Sequence, residues 1–217
     1  MIYIIRTRDQ DRSGPLIDNL NMEYKLVDGF NGSKIKNAGF KYFAYEQGII
    51  PRPRPMVKGE MGVLISQTMA ITMAKAYDEP YIVIFEDDAR VAKDFEDKLK
   101  VILQYEHNAD ILMLGAILLH KDQNIGPNIS YGVPIRKVQH SNVYGMHAYI
   151  VYKKAYDKVL DILYTQANCC DDLVLNNKEL EVLMCDPWLA YQDEVESVIW
   201  PERGVTHQPN SKFKYRE

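Results

Sequence analysis

Three consecutive acids, Glu86-Asp87-Asp88, follow directly on the apolar run Tyr81-Ile82-Val83-Ile84-Phe85. Such a run reads as a buried strand, and open α/β sheets bind ligands just outside the C-terminal ends of their strands. Neighbouring carboxylates repel and raise one another's pKa, a cost that a divalent cation relieves. Hard oxygen ligands suit Mn²⁺ or Mg²⁺, and a metal that uses one or two carboxylates keeps positions for substrate phosphates. Alternation along an extended chain puts Glu86 and Asp88 on one side as the metal pair, with Asp87 facing the supporting structure or a ribose. The plain alternative is an acidic N-terminus for a helix beginning near Ala92, where the macrodipole favours negative charge.

The elements that must position this cluster alternate between short apolar runs and segments of helical period, an α/β pattern. Strands are expected at 2–5, 24–27, 81–85, 111–114, 148–152 and 182–185. Met61, Leu64, Ile65, Thr68, Met69 and Thr72 fall on one face of a helix running to about Ala76, so Met61, Met69 and Met73 read as core filler. Phe95, Leu99, Ile102 and Leu103 stripe a second helix, and Ala155, Val159, Ile162 and Leu163 a third. The proline-rich 48–55 and the stretch 121–132 read as irregular loops.

The chain has 217 residues, 47% hydrophobic and 26% charged, enough apolar material for one slightly extended domain. Residues 1–209 are expected to form it, with 210–217 as a polar tail. Lys+Arg 26 against Asp+Glu 30 gives a net charge of -4, the wrong sign for a general polyanion binder. No apolar run approaches the roughly 18–20 residues that span a bilayer. The opening Met1-Ile2-Tyr3-Ile4-Ile5-Arg6 lacks the basic start and cleavage site of a secretory signal. Three cysteines, Cys169, Cys170 and Cys185, form neither a disulfide framework nor a zinc pattern. The expectation is a soluble, cytoplasmic protein with reduced thiols.

The segment Arg54-Pro55-Met56-Val57-Lys58-Gly59-Glu60-Met61-Gly62, then Leu64-Ile65-Ser66, then Phe85-Glu86-Asp87-Asp88 resembles glycosyltransferase family 25. That family includes bacterial lipooligosaccharide galactosyltransferases and collagen galactosyltransferases. Tyr3 to Arg12 looks like its opening strand and RxxDR stretch, and Val27-Asp28-Gly29 like its AVDG region. Ala109 to Gly115 is similar to its WDLxYLG strand, and Gly145 to Leu160 to its GTxAYxIS segment. Cys170-Asp171-Asp172-Leu173 sits at its VDExL, and Asp186 to Gln192 resembles its PPLxxQ. The chain departs at Val63 and Gln67, where the family has Cys and His.

The resemblance implies a GT-A fold, a central mixed and mostly parallel sheet flanked by helices. It also implies inverting transfer of a hexose, usually from UDP-galactose, to a glycan, lipid-linked or protein acceptor. A cation at Glu86 and Asp88 would offset charge on the departing UDP. Inversion needs a general base for the acceptor hydroxyl. Asp171 and Asp172, at the start of a predicted helix, are the candidates, with simple capping as the alternative. Arg6, Thr7 and Arg12 follow the first strand, where GT-A enzymes bind the nucleotide, and Asp28 is placed to meet uracil or ribose. Lys58 and Glu60 flank a helix N-terminus that can approach phosphates. His207 is a candidate C-terminal metal ligand; His107, His120, His140 and His147 have no stronger case.

Three other readings use the same residues. A nucleotide-sugar hydrolase would take Asp171-Asp172 as a second carboxylate cluster. A degenerate, inactive nucleotide-sugar-binding module is motivated by Val63 and Gln67. A transferase acting on modified nucleic-acid bases would use Arg52, Arg54 and Lys58 against phosphates. The sequence says nothing of oligomeric state.

Overall fold

The computed structural model describes residues 1–35, 56–104, 108–118, 125–128, 134–138, 143–165 and 169–193. All six expected strands are present: β1 (Ile2–Arg6), β2 (Tyr24–Asp28), β3 (Tyr81–Glu86), β5 (Ile111–Met113), β10 (Ala148–Tyr152) and β11 (Val182–Cys185). With β7 (Ile125–Asn128) and β8 (Ile135–Val138) they form an eight-stranded sheet in the order β2-β1-β3-β10-β5-β11-β8-β7. Strands β1, β2 and β3 are mutually parallel, and β5 is parallel to β11. Strand β10 runs antiparallel to both β3 and β5, and β8 antiparallel to β11 and β7. Only β8 and β10 therefore run against the common direction. This is the mixed, mostly parallel α/β architecture expected.

Six short strands were not legible, β7 and β8 of the main sheet and four in two small ribbons. Strand β4 (Ala89–Val91) pairs β12 (Ala190–Gln192), and β6 (Ile117–Leu118) pairs β9 (Val143–Tyr144). Strand β7 also corrects the reading of 121–132 as a loop throughout. It carries Pro127 at the edge of the sheet, where a missing N–H is tolerated, and its register with β8 is shifted.

Period-two alternation splits the strands between two cores. Tyr3, Ile5, Ile82, Ile84, Met113, Tyr149 and Met184 face one side. They are covered by α2 (Lys58–Ala76), α4 (Tyr156–Thr165) and α5 (Cys170–Leu175). Ile4, Val83, Phe85, Leu112, Ile150 and Leu183 face the other, under α1 (Gly14–Ile17) and α3 (Phe95–Gln104). Phe85 and Phe95 meet there edge to face, with ring centroids 5.5 Å apart.

Helix α2 begins at Lys58, ahead of its first apolar stripe residue, because Glu60 caps it: Glu60 Oε2 accepts from the Val57 N–H at 2.9 Å. It ends in a Schellman arrangement. Asp78 takes φ 57°, the Glu79 N–H reaches the Ala74 carbonyl at 3.0 Å, and Pro80 follows. The methionine stripe corrects an expectation. Met61 and Leu64 are buried, but Ile65, Met69 and Thr72 are exposed and line an open apolar groove with Leu163 and Tyr164 of α4. Helix α2 spends its deepest face on Ala70, Ile71 and Ala74 instead. Among the described residues, no helix is long and apolar enough to cross a membrane.

Candidate active site

Glu86 is the last residue of β3. It shares parity with Ile82 and Ile84, so its side chain leaves the sheet on the α2 side. Asp87 and Asp88 then turn the chain back into β4. The helix-terminus alternative fails, because β4 intervenes and α3 starts only at Phe95. The turn, rather than continued alternation, brings Asp88 to the same place as Glu86. All three acids line one cleft of about 220 Å³.

The walls of the cleft come from four stretches. Thr7 and Arg12 follow β1; Phe30, Asn31 and Ser33 follow β2; Gln192 ends β12. Helix α2 contributes Gly59, Gly62, Val63, Ser66 and Gln67, spaced as one helical face of small and polar residues. Glycine is obligatory where the β2 loop meets this helix. A Cβ on Gly32 would lie 1.9 Å from the Lys58 carbonyl oxygen, and one on Gly62 would lie 2.8 Å from the Gly32 nitrogen. Ser66 locks the junction, its hydroxyl accepting from the Phe30 N–H at 2.8 Å and donating to the Gly62 carbonyl at 2.7 Å.

Each acid has a different donor. Arg12 places a guanidinium nitrogen 2.8 Å from Asp87 Oδ1 and 3.5 Å from Asp88 Oδ2. Gln67 Nε2 donates to Glu86 Oε1 at 3.1 Å, while Gln67 Oε1 accepts from the buried Tyr149 hydroxyl at 2.5 Å. Gln192 Nε2 donates to Asp88 Oδ2 at 3.0 Å. The second oxygen of Asp88, Oδ1, is buried with no hydrogen-bond partner. Burial, then the charges of Asp88, Asp171 and Asp87, push the Glu86 carboxyl well above the usual range, with the Gln67 amide opposing. Burial also raises Asp87, against the pull of Arg12.

Asp171 and Asp172 stand in the first turn of α5, but they do different things. Asp171 Oδ2 accepts from the Gly145 N–H at 2.7 Å, and its charge is felt at Glu86. Asp172 accepts from Cys169 Sγ at 3.1 Å and Asn176 Nδ2 at 3.3 Å, at the start and end of the same helix. Gly145 holds φ at +88°, a conformation that suits glycine and aims its N–H at Asp171.

Of the other sequence candidates, Thr7 and Arg12 line the cleft, whereas Arg6, Asp28, Lys58 and Glu60 do not. Arg6 and Asp28 are register partners on β1 and β2. They are tied in ion pairs with Asp11 and Arg8, Arg6 lying 2.7 Å from Asp11. Glu60 is consumed by its cap. His207 lies outside the described residues, as do Arg52 and Arg54. Gln67 and Gln192 were missed as site residues; the helical spacing of 59, 62, 63, 66 and 67 was the signal that could have found the first. Among the described residues, no three His, Cys, Asp or Glu side chains gather as a metal cage.

A mixed, mostly parallel α/β sheet with an acid-lined cleft at its strand ends has the general form of a ligand-binding α/β protein. The family model for glycosyltransferase family 25 (LPS biosynthesis protein) matches residues 3–174, and this chain belongs to that family. It is a glycosyltransferase. No curated protein matches it. Among solved structures it is similar to A197 from STIV, at 13% identity over 100% of this chain and 98% of that one, with a TM-score of 0.46. It is also similar to a mannose-1-phosphate geranyltransferase from Thermus thermophilus, at 12% identity over 85% and 72%, with a TM-score of 0.41.

Proposed function

We propose that this chain, with residues 1–209 as one catalytic domain, is a metal-dependent inverting hexosyltransferase. It moves galactose or glucose from a UDP-sugar to a hydroxyl on a glycan, lipid-linked or protein acceptor. Three buried cysteines outside any disulfide support a reducing, cytoplasmic setting. The observation that carries the reading is Asp88 Oδ1, a buried carboxylate oxygen without a partner beside Glu86 in the cleft. An all-oxygen pair of this kind fits Mn²⁺ or Mg²⁺, held by Glu86 and Asp88. When bound, the ion offsets the charge that develops on the leaving diphosphate.

The chain's own residues supply the rest. Thr7 and the side-chain-free surface of Gly59 and Gly62 face the donor, and exposed Phe30 beside the cleft offers a flat surface to a base. Arg12 adds a positive charge at the phosphate end. Asp171 takes the proton from the acceptor hydroxyl; it is closer electrically to the cleft than Asp172. A second reading rests on Arg12, whose guanidinium already reaches Asp87 and Asp88: there it would stabilise the leaving diphosphate unaided.

The experiment is a thermal-shift screen of UDP-, GDP-, dTDP- and CMP-sugars, with and without Mn²⁺, followed by UDP release with and without acceptor. A ligand at a hundred times its Kd stabilises by about 2.7 kcal/mol. A UDP-selective, Mn²⁺-dependent shift and acceptor-dependent turnover are expected. Turnover undiminished in chelator favours the Arg12 reading, and full turnover without acceptor makes the protein a hydrolase.

A further inference from the structure

Two glutamines reach the acidic turn from opposite ends of the chain, Gln67 from the middle of α2 and Gln192 from the end of β12. We infer that they are positioning residues for a divalent cation, each clamping one oxygen of a carboxylate so that the other oxygen is presented to the cleft. The inference rests on the metal-dependent reading above and deepens it.

The three acids are held by chemically different means. Asp87 is met by a guanidinium, which cancels its charge as it binds. Glu86 and Asp88 are met at 3.1 and 3.0 Å by the Nε2 groups of neutral amides, which fix geometry without adding charge, and the Arg12 guanidinium stands farther from Asp88, at 3.5 Å. An acid pair destined for a cation needs that treatment. A lysine or arginine at either glutamine would compete with the ion, and an apolar side chain would leave the carboxylates free to rotate apart under their own repulsion.

The amide at Gln67 is itself oriented. Its Oε1 accepts from the Tyr149 hydroxyl, so Nε2 is the atom turned to Glu86. Gln67 and Tyr149 are both fully buried, which removes water as an alternative partner. On the other side, Gln192 engages Oδ2 of Asp88, and Oδ1 is the oxygen left without a partner. The Asp193 N–H also donates to the Asp88 carbonyl at 2.8 Å, so the turn is gripped at its backbone by the same strand end. Partners that orient metal ligands in this way commonly change metal affinity 10- to 100-fold when removed.

The test measures Mn²⁺ alone, by electron paramagnetic resonance and calorimetry, on the full chain without sugar or acceptor. Gln67→Met and Gln192→Met keep the length of the side chain and remove the donor. Each is expected to weaken Mn²⁺ binding by about tenfold or more; Gln192→Met should leave the melting temperature of the metal-free protein little changed, whereas Gln67→Met, which strands the buried Tyr149 hydroxyl, should lower it. Gln67→His restores a ring N–H donor at that position and is expected to recover most of the affinity, which a merely space-filling role would not give. Should Gln67→Met fail to fold, Gln192→Met at the rim of the cleft carries the test. Wild-type affinity in both methionine variants overturns the inference while leaving the metal site standing. A wild-type protein that binds no Mn²⁺, with or without UDP, overturns the metal-dependent reading and this inference with it.

Discussion

The Gln192 amide lies 3.0 Å from Asp88 Oδ2, 104 positions away in the chain. The pairing of β12 with β4, which sets Gln192 opposite Ala89, makes that contact possible. The acidic turn is thus a joint product of an early strand and a late one.

Replacement of Asp88 by asparagine keeps the shape and the Gln192 contact while removing one charge. Sugar transfer should fall by at least 100-fold, on the scale of a lost charge-stabilising group. The metal-free melting temperature should hold or rise, because one of the anions crowding Glu86 is gone. Turnover assays and calorimetric melting check both halves, and full activity removes Asp88 from the reaction.

Asp171 and Asp172 separate by their contacts. Asp171→Asn should lower kcat by roughly 10²–10⁴, the usual contribution of a general base. Asp172→Asn should cost far less, since that side chain is occupied with Cys169 and Asn176. UDP release at saturating donor and acceptor distinguishes them; equal losses would argue for a structural role for both.

Gly145→Ala tests the turn that faces Asp171. A side chain there must adopt φ +88° and place its Cβ 3.0 Å from Ile117 Cγ1. Urea unfolding should show a loss of roughly 1–3 kcal/mol, and kcat should fall as the N–H that holds Asp171 shifts. Unchanged stability would mean that the turn relaxes freely.

His147 is buried, and neither ring nitrogen makes a well-formed hydrogen bond. Burial drives its pKa down to about 4, with the Ala190 carbonyl opposing. The neutral ring is therefore favoured in the folded state. This contribution is present in full above pH 6.5 and is lost as pH falls through 4. It amounts to something on the order of 3 kcal/mol. His147→Gln should flatten the decline in stability between those limits, and parallel wild-type and variant curves would contradict the assignment.

The parts legible in the sequence were those whose signal is local. Strand β3 and its acids stood out because four buried apolar residues end in three charges, and the strand bounds agreed with the structure to within a residue. Helix α2 was legible as a helix but misread at its edge, since periodicity shows an apolar stripe without showing whether anything covers it. Ile65 and Met69 are exposed for that reason. Gln67 looked like a mere departure from a family pattern, because its role depends on Tyr149 and Glu86, neither close in sequence. Arg6 and Asp28 read from the sequence as nucleotide ligands; parallel register sets them side by side as an ion pair 3.5 Å apart, a contact between strands that the sequence does not display.

Because β12 closes over the acidic turn, a nascent polypeptide cannot complete the contacts of that turn while residue 192 is still inside the ribosome. Competence is thus tied to the arrival of one late segment, and that segment acts as a keystone.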